Sequence, residues 1–363
     1  MSTSRAARLM ENAEGVDKIV IMNGGEPFLD STFWYVTQAT TGVFEGSFAI
    51  VSTDGTVDVL VSTLEEEAAK SSKANVHVYH SRDEHDSIIK ELLGEAKKVG
   101  INSPSAVYSM VSFLQKMKDD IEIVNVSKAI GETVSVKDAD EIKATEQACR
   151  ITSKVAQELP SMIFEGASEK EVAAEMDIRM RRLGGTGNAF ETIAAFGANS
   201  ADCHHVPCDY KLKKGDTALF DFGSKYDMYC ADLTRTIFFG EPCEKLKRAY
   251  EVVRKAQIAG IECIRDGAKA SEPDIAARKI IDDSEFKGTF IHTFGHGIGM
   301  DVHQAISVYS RSEQILKAGN IISAEPGIYL PGIGGIRIED TILVTEDGCR
   351  ILTDYDHGLT IVH

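Results

Sequence analysis

Ala324-Glu-Pro-Gly-Ile-Tyr-Leu-Pro-Gly-Ile-Gly-Gly-Ile-Arg-Ile-Glu-Asp340 places two glutamates, Glu325 and Glu339, 14 residues apart around a turn near Pro331 to Gly335. The flanks read as the two strands of a hairpin. Strand periodicity then puts Arg337 on the face of Glu339 and Tyr329 on the face of Glu325. A second pair lies upstream: Asp221, in Phe220-Asp-Phe-Gly223, and Asp232, in Ala231-Asp-Leu-Thr-Arg-Thr236, stand 11 residues apart around a turn near Gly223 to Met228. Helical patterns over 138–164 and 168–183 precede the first pair, and patterns over 244–265 and 273–285 precede the second. The segment therefore reads as an internal duplication of helix, helix and hairpin. Residues facing each other across a hairpin have Cβ atoms about 4.5–5.5 Å apart, so two inward-facing hairpins can build one cage of four carboxylates.

Four carboxylates in one pocket repel one another and raise some of their own pKa values unless cations are present. A fifth donor, His296, lies in His292-Thr-Phe-Gly-His-Gly-Ile-Gly299. Two divalent ions would balance the four charges of Asp221, Asp232, Glu325 and Glu339. Oxygen donors with one imidazole and no thiolate suit Mn²⁺ first, with Co²⁺, Zn²⁺ or Fe²⁺ also accommodated. Such a pair, roughly 3.5–4 Å apart, activates water near neutral pH, and hydrolysis is the chemistry it serves.

Other motifs in this region carry less. Gly295-His-Gly-Ile-Gly299 lacks the Lys-Ser or Lys-Thr of a phosphate loop, and its glycines suit close backbone approach. Phe220-Asp-Phe-Gly223 spells the kinase DFG, but no glycine-rich loop or His-Arg-Asp stretch accompanies it. Cys203 and Cys208 flank His204 and His205 without a second ligand pair nearby, which argues against a further metal site there.

A chain of 363 residues calls for two domains. At 43% hydrophobic and 26% charged it has the composition of a soluble globular protein, and its net charge of −17 speaks against nucleic-acid or anionic-membrane partners. The start, Met1-Ser-Thr-Ser-Arg-Ala-Ala-Arg8, has no signal-peptide core, and the seven cysteines form no Cys-x-x-Cys, so a cytoplasmic protein with reduced thiols is expected. Over the first 130 or so residues, strands are expected at 18–22, 48–52, 57–61, 99–102 and 121–126, with a hairpin turn at Asp54-Gly55. Helices are expected at 65–72, 85–98 and 105–118, and Pro160 is expected to break the long 138–164 helix late. Ser168 and Glu171 have capping-box spacing.

The five stretches, in this order and over roughly 138–348, resemble the pita-bread metallopeptidase family in its proline-directed branch of Xaa-Pro aminopeptidases and Xaa-Pro dipeptidases, or prolidases. The fold class this implies is mixed α/β (α+β): a small creatinase-type α/β domain over 1–130, matched only loosely, then a pita-bread catalytic domain over 131–363 with duplicated halves. The resemblance implies two divalent metal ions per subunit. Asp221 would chelate one, Asp232 and Glu339 would bridge both, and His296 and Glu325 would complete the other. It makes Glu325 the general base, His303 the contact to the scissile carbonyl or tetrahedral intermediate, and His204 and His292 groups for substrate binding and proton handling. Arg337 would orient the carboxylates, with Tyr329 beside it. The implied partners are proline-containing peptides and a second copy of the chain, as a homodimer.

One departure bears on specificity. The branch's archaeal-type dipeptidases carry an arginine four residues after the counterpart of His303, where this chain has Ser307, with Arg311 further along. That tilts the expectation slightly toward an Xaa-Pro aminopeptidase over a dipeptidase. A metal-free creatinase-like amidinohydrolase and a non-enzymatic binding module share the fold, but the intact donor set argues against both.

Overall fold

A computed structural model describes residues 4–363; Met1 to Thr3, part of the stretch read for a leader, lie outside it. The chain divides into two compact units, Met1–Val134 and Ser135–His363. Among the described residues no helix is long and apolar enough to cross a membrane, and all seven cysteines are free thiols.

The first unit is built on a six-stranded mixed sheet in the order Asn75–Tyr79, Val57–Ser62, Phe48–Ser52, Lys18–Met22, Lys98–Ile101, Glu122–Asn125. The Lys18-Ile-Val-Ile-Met22 run lies near the centre, with Ile19, Val20 and Ile21 fully buried, as expected of a strand covered on both faces. Asp54-Gly55 turns the antiparallel pair Phe48–Ser52 and Val57–Ser62: Gly55 adopts φ +82°, and Asp54 Oδ1 accepts from the Thr56 N–H at 2.9 Å. Three helices differ from expectation. The one read at 105–118 is Tyr108–Met117. The one read at 85–98 is Arg82–Leu93, because the Ser81 hydroxyl caps it by accepting from the Glu84 N–H and Gly94 ends it. The one read at 65–72 is only Glu66–Ala69, a single turn with no side-chain cap.

The second unit shows the duplication. Helices Ala139–Met162 and Glu169–Arg182 lead into a four-stranded sheet containing Ile193–Phe196, Asp216–Phe222 and Leu233–Phe239. Helices Glu244–Ile261 and Ser271–Asp282 lead into a five-stranded sheet containing Gly295–Gly297, Ile321–Ala324 and Asp340–Thr345. Both first-half helices open with capping boxes, Asp138 with Glu141 and Ser168 with Glu171. Pro160 sits in the last turn of its helix, which ends at Met162. Each half has its own apolar core, one around Val155, Met176 and Phe220, the other around Tyr250, Phe294 and Ile342. Fully burying a side chain such as Phe220 is worth about 1.5–3 kcal/mol.

Both carboxylate-bearing hairpins are more elaborate than their sequence suggests. Asp221 lies in a strand register with Thr234, not with Asp232. Between the two strands the chain makes a nested ribbon, Ser224–Tyr226 with Tyr229–Cys230, turned by Asp227 and Met228 at positive φ, and Asp232 falls just before the main ladder begins. In the second half, Ala324 pairs with Asp340 and Gly327 with Arg337. Glu325 and Glu339 occupy the interruption between these two ladders, where the strand pair leaves one sheet and enters a two-stranded ribbon.

Candidate metal centre

A cavity of about 900 Å³ in the second unit is lined by Asp221, Asp232, His296, Glu325 and Glu339, together with His204, His292, His303 and Arg337. Thus nine of the ten residues singled out in the sequence meet in one place. The tenth, Tyr329, is buried behind the wall, and its hydroxyl reaches Arg337 Nη1 at 2.9 Å and His292 Nε2 at 2.8 Å. Ser307 pairs with His296 in the ladder but does not line the cavity, and neither does Arg311.

Close approach of backbones makes the wall thin. A Cβ on Gly295 would lie 2.1 Å from the Ser323 carbonyl oxygen, which excludes any other residue beside His296. The His296 Nδ1 faces the Gly297 carbonyl at 3.2 Å, an acceptor only, so Nδ1 carries a hydrogen and Nε2 is the ring atom turned toward the carboxylates. That Nε2 lies 3.2 Å from Glu325 Oε1 and 3.5 Å from Asp232 Oδ2. Donor atoms of Asp232, His296 and Glu339 all lie within 4.8 Å of one another.

The electrostatics call for a cation. Burial pushes the Asp232 and Glu339 carboxyls well above the usual carboxylate range, and mutual repulsion among the four acids adds to it. Burial also raises Asp221 despite Arg337 beside it. Glu325 goes the other way: burial raises it, but the hydrogen bond and charge of His296 outweigh burial and hold it at about 2. Among the described residues one permanent cation, Arg337, faces the four acids, and the buried Asp221 Oδ1 has no hydrogen-bond partner. An oxygen-rich donor set with an orphaned carboxylate oxygen and a surplus of negative charge fits divalent ions.

Supporting hydroxyls escaped the sequence reading. Thr234 Oγ1 donates to Glu339 Oε2 at 2.5 Å and accepts from Arg337 Nε at 3.0 Å. Ser323 Oγ donates to Glu325 Oε1 at 3.2 Å, and Thr341 Oγ1 accepts from the Asp232 N–H at 3.1 Å. All three sit two residues from a carboxylate, at Asp232, Glu325 and Glu339, so the same-face rule that linked Arg337 to Glu339 was the available signal. His292, also in the cavity lining, has both ring nitrogens engaged: Nδ1 donates to the Thr293 carbonyl at 2.8 Å and Nε2 accepts from the Tyr329 hydroxyl at 2.8 Å. His204 and His303 present exposed rings to the cavity.

Arg337 ties this shell together, with Nη2 on Asp221, Nη1 on Tyr329 and Nε on Thr234. A lysine offers a point charge in place of that planar fork. Arg337→Lys is expected to weaken divalent-metal affinity by about 10–100-fold, the usual cost of losing an outer-shell partner, as read by calorimetric titration of metal-free protein.

The metallopeptidase family M24 model matches residues 143–346, and the creatinase/prolidase N-terminal domain model matches residues 3–133. An Xaa-Pro dipeptidase of Pyrococcus furiosus is 37% identical over 88% of this chain and 90% of its own length. Among solved structures, an Xaa-Pro dipeptidase from Bacillus anthracis superposes with a TM-score of 0.90 at 32% identity over 99% of both chains. An X-Pro aminopeptidase from Thermotoga maritima does so with a TM-score of 0.89 at 29% identity, over 97% of this chain and 99% of its own.

Proposed function

The chain belongs to metallopeptidase family M24 and is a hydrolase, and on that premise we propose that it is an Xaa-Pro dipeptidase that cleaves the amide bond before proline. The observation that carries this is the single cavity in which Asp221, Asp232, His296, Glu325 and Glu339 meet His204 and His303. Those five side chains would hold two divalent ions, Mn²⁺ first among them. Bound there, the ions supply Lewis acidity toward a carbonyl and lower the pKa of water.

The chain's own residues do the rest. Glu325, whose Oε1 lies 3.2 Å from His296 Nε2, takes the proton of the attacking water. His303, whose ring packs edge-on to His296 with centroids 4.1 Å apart, reaches the scissile carbonyl and the charge that develops on it. His204 binds substrate from the opposite half of the duplication. Arg337 and Tyr329 keep Asp221 and His292 in place. Phe190, Ile193, Val206, Pro207, Ile291 and Val302 give the cavity an apolar side that suits a pyrrolidine ring. A tertiary Xaa-Pro amide offers no N–H, so recognition through that apolar side replaces the usual hydrogen bond. A homodimer in the cytoplasm is part of the same reading, and sedimentation at equilibrium tests the dimer.

The relatives named Xaa-Pro dipeptidase, 37% and 38% identical over 88% and 90% of the chain, outweigh the aminopeptidase tilt drawn from Ser307. The aminopeptidase stays as the second reading, favoured by Ser307 and by the Thermotoga maritima structure. Turnover of an Xaa-Pro dipeptide and of the same sequence extended by one residue separates them. The dipeptide is expected to have the higher kcat/KM by about tenfold or more, the equivalent of one charge-assisted contact; a tripeptide preference of that size would establish the aminopeptidase instead.

A further inference from the structure

Glu169, the first residue of the helix Glu169–Arg182, is fully buried and lies outside the metal cavity's lining. Its carboxylate accepts five hydrogen bonds. Oε1 takes the Phe196 N–H at 2.8 Å and the Asn199 side-chain amide at 2.9 Å. Oε2 takes the Cys208 N–H at 2.9 Å, the Cys208 thiol at 3.0 Å and His205 Nε2 at 2.7 Å. Every donor comes from one segment, 196–208, which after the short turn Gly197–Ala201 has no regular structure of its own. That segment presents Cys203, His204, His205, Val206 and Pro207 to the cavity.

The other half of the duplication has a counterpart. Asp274, also fully buried and near the start of the second helix, accepts the Phe294 N–H at 3.0 Å and is gripped by Arg278, which donates to the carbonyls of Phe290 and His292. Phe196-Gly197 and Phe294-Gly295 thus occupy equivalent places, each held by a buried carboxylate ahead of a histidine-bearing segment. The two anchors differ in their counter-charge. Asp274 has a permanent cation on its own helix, whereas Glu169 is balanced by donors of the segment it holds.

We propose that Glu169 is a positioning residue that clamps segment 196–208 and through it holds His204 at the substrate cavity, with His205 serving as part of the clamp. This rests on the reading of His204 as a substrate-binding group. Both adjacent histidines line the cavity, but they divide their work: His205 gives its Nε2 to the anchor, and His204 is the one assigned to substrate. Burial pushes the Glu169 carboxyl up, but the hydrogen bonds from Cys208, Asn199, His205 and Phe196 outweigh it and hold the group below the usual range, so the clamp is ionic. Donor atoms of Glu169, His205 and Cys208 lie within 4.8 Å of one another, close enough for a metal, yet each is consumed by these hydrogen bonds.

The test pairs amide hydrogen exchange with kinetics on the metal-loaded protein. Glu169→Gln, which turns an amide donor toward the donors of Cys208 and His205, is expected to speed exchange at Phe196 and Cys208 and leave Phe294 unchanged. It should lower kcat/KM for an Xaa-Pro dipeptide by about 10–100-fold, mainly through KM. His205→Gln keeps a donor toward Oε2 and should stay within about threefold of the parent, whereas His205→Ala should resemble Glu169→Gln; this pair decides the matter if Glu169→Gln does not fold. Unchanged exchange at Phe196 and Cys208 in the folded variants, equal losses in the two His205 variants, or a third metal ion lost on Cys208→Ala would each overturn the clamp. A parent protein inert toward Xaa-Pro dipeptides would refute the functional reading, and the exchange result would still decide the clamp.

Discussion

Glu339→Gln is expected to lower Xaa-Pro dipeptide turnover by more than about 100-fold, beyond the range seen for outer-shell partners, and to reduce the number of divalent ions bound. Glutamine has the shape of glutamate, so Thr234 can still reach its carbonyl oxygen, but the negative charge shared with Asp232 is gone. The stability effect should have the opposite sign in metal-free protein. Burial and the neighbouring acids push Glu339 far above the usual carboxylate range, so the ionised side chain is a burden on the fold when no cation offsets it. The metal-free variant should therefore melt no lower than the metal-free parent, while the metal-loaded parent should gain stability that the variant does not. Elemental analysis and thermal melts with and without a chelator check both signs; a variant that simply unfolds, or one that keeps full metal content and activity, would contradict this.

Arg235→Met is expected to cost about 3–5 kcal/mol of stability, the range for breaking a buried ion pair by removing one partner. Arg235 and Asp340 are both fully buried and 2.8 Å apart. Asp340 also accepts from Gln257, Thr353 and His357, and burial, which raises its pKa, is outweighed by Arg235 and His357, so it stays charged at about 2. Without the guanidinium that charge is stranded. Arg235 further donates to the Glu339 carbonyl at 2.5 Å and to the Tyr355 carbonyl at 2.9 Å, so it ties the metal-centre strand to the C-terminal segment. Urea unfolding at equilibrium measures the loss. In Arg235→Met/Asp340→Asn the loss should shrink, because the stranded charge goes with its partner.

Residues whose structural cause is local were legible in the sequence. Lys18–Met22 is a strand because four apolar residues after Lys18 end at turn chemistry, and Ser168 with Glu171 opens a helix through contacts three residues apart. The convergence of nine of the ten candidate residues on one cavity was legible because donor residue types recur at short, hairpin-compatible spacings. The nested ribbon around Asp227 and Met228 was not, since two non-glycine residues at positive φ leave no turn signature. Glu169 was legible only as the position after an N-cap: its partners lie 27 to 39 residues away, and no periodicity connects them. Ser307 gave only a tilt between dipeptide and longer substrates, because it does not line the cavity, whose walls come from both halves of the duplication.

The central claim is that Asp221, Asp232, His296, Glu325 and Glu339 form a two-ion centre for Xaa-Pro hydrolysis. Its most direct test is to titrate Mn²⁺ into metal-free protein while following proline release from an Xaa-Pro dipeptide. The expected result is no cleavage without metal and a rate that reaches its plateau as two ions bind per chain. Full cleavage by the metal-free protein, or no cleavage once two ions are bound to folded protein, would contradict it.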